Sequence, residues 1–151
     1  MAPADDSLEI EDPLVAEGLV PAEFDLHTVL LLVRPTEQPD LSEEQLDRLQ
    51  VEHLRFRKAR REEGLLVAYG PLRDQTDPRV RGVSIWAAPL SEAIELSERD
   101  PIVVAGWYAV EGGTWNVARG SVRFGRDGAA HGHPPPLGRR PVSIRGRPVR
   151  R

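Results

Sequence analysis

The run Leu26-His27-Thr28-Val29-Leu30-Leu31-Leu32-Val33, closed by Arg34-Pro35, is the segment that most narrows the fold of this chain. Its length and apolar density suit a strand, and the Arg-Pro step ends it. Successive side chains of a strand point to opposite faces, and here both faces are apolar. Such a strand belongs in the middle of a sheet that is covered on both sides.

Beyond Pro35 the hydrophobic period alternates between helix and strand. Ser42-Glu43-Glu44-Gln45 reads as a capping box, in which the Ser42 hydroxyl accepts a backbone N–H of the first turn and Gln45 reaches back. The spacing predicts a helix from there to Glu63, stopped at Gly64. Glu43 and Glu44 lie at its positive end, and Arg57, Lys58, Arg60 and Arg61 near its negative end. Leu46, Leu49, His53 and Phe56 fall on one face. Leu65 to Tyr69 reads as a second strand, broken at Gly70-Pro71. A polar turn over Asp74 to Arg81 leads into a third strand, Gly82 to Ala88. Ser91 is expected to cap a short helix through Leu96 or Glu98 that ends before Asp100-Pro101. Trp107 to Val110 and Trp115 to Val122 supply the last strand, interrupted at Gly112-Gly113.

The order β-α-β-β-α-β defines an α+β, ferredoxin-like pattern: a four-stranded antiparallel sheet with two helices on one face. The opposite face is then open, which conflicts with a central strand apolar on both sides and with Trp86 and Trp107 nearby. A second copy packed sheet to sheet resolves the conflict, so a homodimer is expected.

Composition removes several classes of function. The chain has 151 residues, enough for one domain, with 40% hydrophobic and 29% charged residues. It contains no cysteine, which excludes disulfides, thiolate nucleophiles and cysteine-ligated metals. No apolar run is long enough to span a membrane, and the acidic N-terminus is not a secretory signal; a cytoplasmic location without membrane contact is expected. Residues 1–24 are expected to be an acidic, flexible extension, and residues 25–124 the folded domain. Residues 125–151, rich in Gly, Pro and Arg, cannot bury a core and are expected to be a disordered tail. The tail has no aromatic residue after Phe124, and the domain shows no aromatic–basic platform, so nucleic acid is not an expected partner. His131-Gly132-His133 is an incomplete metal site. No phosphate-binding glycine loop and no nucleophile elbow are present. Neither metal nor cofactor is expected.

The chemistry that remains centres on His53, an imidazole inside an apolar helical stripe. Imidazole exchanges protons near neutral pH. In the expected topology Asp100 lies on the same sheet face, where a carboxylate can orient the ring for acid–base work. Each residue also has an ordinary reading: a histidine satisfied by one hydrogen bond, and an Asp-Pro step that ends a helix. Arg57, one turn after His53, either flanks a pocket and binds a carboxylate or enolate, or is a solvated arginine near a helix end. Tyr69 and Ser84 lie on strands and are candidates to point inward.

The succession Glu52-His53-Leu54, Glu63-Gly64-Leu65-Leu66, Gly70-Pro71-Leu72, Ser91-Glu92-Ala93, and Asp100-Pro101 leading to Ala105-Gly106 resembles the YciI-like (YCII-related) family. The resemblance covers about residues 26–119. Each motif is weak alone, but their order and spacing together are specific. The resemblance implies a dimeric α/β barrel with an active site built on a His-Asp pair, here His53 and Asp100, and a Gly70-Pro71 turn lining the same pocket. Activities proposed for this family are lyase- or isomerase-like. The acidic arm, Gly112-Gly113 and the Arg-rich tail lie outside the pattern. The expectation is a small dimeric enzyme in which His53 acts on a small, cyclic or unsaturated organic substrate, and in which Asp100→Ala reduces turnover with little loss of fold. The alternative is a non-catalytic dimeric small-molecule-binding or accessory protein whose charged ends contact partners.

Overall fold

The computed structural model describes residues 12–125. The elements run α1 (Pro13–Ala16), β1 (Phe24–Val33), α2 (Glu43–Glu62), β2 (Leu66–Pro71), β3 (Val80–Trp86), α3 (Leu90–Glu98), α4 (Pro101–Val104) and β4 (Ala109–Ala118). The strands form one antiparallel sheet in the order β2-β3-β1-β4. β1 therefore has a neighbour on each side, as its two apolar faces require. The fold is α+β and ferredoxin-like, with the short α1 and α4 added to the expected elements. His131, His133 and the Arg-rich segment lie outside the described residues, as does the start of the acidic arm. Among the described residues no helix is long and apolar enough to cross a membrane.

One face of the sheet packs against the helices. Leu30 of β1, Leu66 of β2, Trp86 of β3 and Ala93 of α3 form the buried cluster, with Leu90, Ile94 and Leu96 of α3 against it. Register places Leu30 opposite Ser84, and Leu66 opposite Trp86, so these side chains share the helix-facing side. The ends of α2 match the sequence signals closely. The Gln45 N–H donates to Ser42 Oγ at 3.2 Å, and the Ser42 N–H donates to Gln45 Oε1 at 2.8 Å. At the other end Gly64, at φ 77°, closes a Schellman motif: its N–H reaches the Arg61 carbonyl at 2.9 Å, and the Leu65 N–H reaches that of Arg60 at 3.1 Å.

Four boundaries differ from the sequence expectations. Gly70-Pro71 does not break β2 but completes it, with Pro71 opposite Gly82. β2 is an edge strand, where the missing proline N–H costs no ladder bond. β3 begins at Val80 rather than Gly82, because Val80 still pairs with Val33 of β1. Ser91 does not cap α3: Pro89 holds the N-cap position without a side-chain bond, and its carbonyl accepts the Ala93 N–H at 2.9 Å. Finally, Gly112-Gly113 does not interrupt β4, which runs unbroken to Ala118. Gly112 sits opposite Leu30, where a Cβ would fall 2.4 Å from Leu30 Cδ2 and 2.6 Å from the Val29 carbonyl oxygen. The glycine lets β4 lie close over the bulkiest point of β1.

Candidate active site

The site begins with a helix break. α3 ends at Glu98 and α4 begins at Pro101, and Asp100 stands between them at φ −59°, ψ 127°. Pro101 cannot supply the N–H that a continuing helix needs, and it drives the preceding residue out of the helical region. Asp100 becomes the N-cap of α4, its Oδ1 accepting the Ile102 N–H at 3.2 Å. The same break turns the carboxylate toward α2, which packs against α4.

Two residues of α2 meet it there. His53 and Arg57 are four apart and so lie on one helical face. His53 Nδ1 lies 2.9 Å from Asp100 Oδ1 and 2.8 Å from Oδ2, and Arg57 Nε donates to Oδ2 at 3.0 Å. Asp100 is 0% exposed, Arg57 3% and His53 9%. A buried carboxylate without compensation is costly, and here a guanidinium cancels its charge. Burial lowers the Arg57 pKa from its ordinary value, while the charge and the hydrogen bond of Asp100 act to raise it. The guanidinium carbon also lies over the Trp86 ring, 5.8 Å from its centroid, on the helix-facing side of the sheet.

The geometry assigns the histidine tautomer. An ionised carboxylate only accepts, so Nδ1 carries the hydrogen, and in the neutral ring Nε2 is the nitrogen with the lone pair. His53 lines a cavity of about 270 Å³ between α2 and the β1, β2 and β3 end of the sheet. The other residues nominated from sequence take two positions. Arg57, Tyr69, Gly70, Pro71 and Ser84 all line this cavity, whereas Asp100 stands behind His53, away from the lining. Tyr69 is the exposed member, at 40%. The Ser84 hydroxyl is engaged, accepting from Trp86 Nε1 at 2.9 Å and donating to the Leu30 carbonyl at 3.4 Å.

Several wall residues are not singled out by the sequence. Gln50 and Leu54 flank His53 on α2 and are accessible to helical spacing once His53 is placed. Leu32, Gly82 and Leu72, the residue after β2, add to the wall, and Tyr108 enters from the segment before β4. Arg81, which in sequence reads as part of a polar turn, also lines the cavity. It is the extra residue of a bulge, because Gly82 pairs with Leu32 and Val80 with Val33. Bulges re-aim a side chain in this way, and no local pattern announces them.

An antiparallel ferredoxin-like sheet carrying a buried His-Asp pair under a small cavity defines the class of protein. The YCII-related domain family profile matches residues 28–111, more than half of the chain, and the chain belongs to that family. No curated protein matches it.

The depth of Asp100 alters one expectation. Asp100→Ala is now expected to cost the fold as well, because it strands Arg57 as an uncompensated buried charge. The expected loss is about 3–5 kcal/mol of unfolding free energy, the usual cost of breaking a buried pair from one side. Urea denaturation monitored by far-UV circular dichroism reads this loss, and an unchanged midpoint would contradict the charge compensation.

Proposed function

We propose that the protein is a cofactor-independent acid–base enzyme of lyase or isomerase type, acting on a small, cyclic or unsaturated organic substrate. The observation that carries this reading is the 2.8 Å contact between His53 Nδ1 and a fully buried Asp100, made by an imidazole that lines a cavity. Nε2 takes a proton from a substrate carbon. The electron pair left on that carbon forms a new double bond. In an elimination the pair expels a leaving group from the adjacent carbon, and the proton passes from the imidazolium to that group or to solvent. In an isomerisation the imidazolium returns the proton to a different carbon. Asp100 holds the ring in the required tautomer and faces the positive charge that forms on it.

Solvent exchange tests the reading whatever the product is. The protein is incubated in D₂O with cyclic and unsaturated carbonyl compounds, and loss of substrate C–H signal is monitored by proton NMR. The wild type exchanges deuterium into the substrates that fit, and His53→Gln slows this by about 10²–10⁴-fold while remaining folded. Absence of exchange in the wild type, or equal exchange by the variant, overturns the enzyme reading and favours the binding module.

We also propose that a second copy covers the sheet face away from the helices. Cross-strand neighbours there include Val29 and Ile85, Leu31 and Val83, and His27 with Trp115, which is 46% exposed. An apolar face of this kind is the sort that soluble chains bury against a partner. Sedimentation velocity is expected to give twice the mass of one chain, falling to a single chain in Leu31→Lys. A wild-type monomer at micromolar concentration contradicts the proposal.

A further inference from the structure

The cavity wall carries a charge pattern that acid–base chemistry alone does not need. Its ionisable side chains are His53, Arg57, Arg81, Tyr69 and Tyr108, and neither an Asp nor a Glu is among the lining residues. The one carboxylate of the site, Asp100, stands behind His53 and is already engaged by Arg57 Nε. Arg57 and Arg81, which both line the cavity, each carry a buried guanidinium nitrogen with no hydrogen-bond partner among the described residues, Nη2 and Nε respectively. Arg34 and Arg60 each carry a similar nitrogen, but neither lines the cavity. Arg81 is otherwise weakly held, with Nη1 reaching the Pro78 carbonyl at 3.5 Å.

A buried donor without an acceptor carries an uncompensated desolvation cost, and the site sets two such under-satisfied arginines against a single carboxylate, so an anion in the cavity would balance the charge. Leu32, Leu54 and Leu72 give the wall an apolar part, beside the uncharged polar Gln50 and Ser84. Guanidinium groups are matched to planar oxyanions and pair with carboxylates strongly. The positions agree with this. Arg57 comes from the same helical face as His53, and the β3 bulge brings Arg81 to the same cavity from the sheet.

From these positions we propose that the cavity binds a small carboxylate with an apolar body, its oxygens held by the guanidinium groups of Arg57 and Arg81 and its carbon skeleton against the leucine wall beside His53. The proposal rests on the cavity that serves the acid–base reading and names the substrate class for it. Arg81 is a binding residue in this arrangement, and Asp100 remains the partner of both α2 side chains. The volume of about 270 Å³ suits a single ring or a short chain rather than a polymer or a nucleotide.

Binding of benzoate and crotonate to the full chain, with benzamide as the uncharged counterpart of benzoate, tests the proposal by titration calorimetry and by amide chemical-shift changes. At least one carboxylate is expected to saturate, with shifts centred on β3 and the middle of α2. Benzamide is expected to bind at least about tenfold more weakly than benzoate, the difference a charge-assisted bond makes. Arg81→Gln is expected to weaken the carboxylate by about tenfold and leave benzamide unchanged, and Arg81→Lys to recover part of the loss. Arg81 lies away from the Asp100 pair, so its replacement leaves the buried charges compensated, and the unfolding midpoint serves as the control. Equal binding of benzamide and benzoate, indifference to Arg81→Gln, or no saturable carboxylate binding overturns the proposal. None of these readouts involves turnover. Failure of the carboxylate site and failure of His53 catalysis are therefore separate results.

Discussion

The carboxylate of Asp100 is the constraint around which this structure is arranged. It has no contact with solvent, and it accepts from a guanidinium, an imidazole and a backbone N–H. Each donor answers a different need. Arg57 cancels the charge, which makes burial tolerable. The Ile102 N–H fixes the carboxylate at a helix start. His53 is then oriented through Nδ1 at the edge of the cavity. Removing any one donor changes what the other two can do, because a low-dielectric interior gives a half-satisfied polar group no substitute.

The fold delivers these groups from separate parts of the chain. α2 carries His53 and Arg57 on one face. The proline-induced break between α3 and α4 supplies the carboxylate. The sheet closes the space in front of them, with Ser84 and Trp86 of β3 linked by a 2.9 Å hydrogen bond and the Arg57 guanidinium over the Trp86 ring. The cavity is lined by the end of the sheet where β2 finishes and β3 begins. The geometry of this cluster depends on helix–sheet packing rather than on a mobile loop, since the three interacting side chains all belong to helices or their caps.

Much of this is legible in the sequence, for physical reasons that can be stated. The apolar run of β1 could only be a central strand. The Ser42–Gln45 box and Gly64 bracket a helix by local hydrogen bonding, and local signals survive into the structure. His53 and Asp100 can be paired because the β-α-β-β-α-β order puts their elements on one face. Arg57 is open to two readings: an arginine one turn from a basic helix end is ordinarily solvated, and only the buried Asp100 makes its burial favourable. Arg81 is missed because a bulge is a property of register between two strands, not of the residues in one. Gly112-Gly113 misleads for a related reason. Glycine weakens a strand by its own propensity, yet beside Leu30 it is the residue that allows the strands to approach. Asp100→Ala looks benign from sequence alone because sequence shows a candidate partner for His53 but not the second partner, Arg57.

The proton position on His53 tests the central claim most directly. Long-range proton–nitrogen NMR of uniformly labelled protein, at alkaline pH where the ring is neutral, distinguishes a protonated from an unprotonated ring nitrogen. The contact with Asp100 predicts hydrogen on Nδ1 and a bare Nε2. Hydrogen on Nε2 would place the Nδ1 lone pair against the Asp100 carboxylate, leave no base facing the cavity, and contradict the acid–base site.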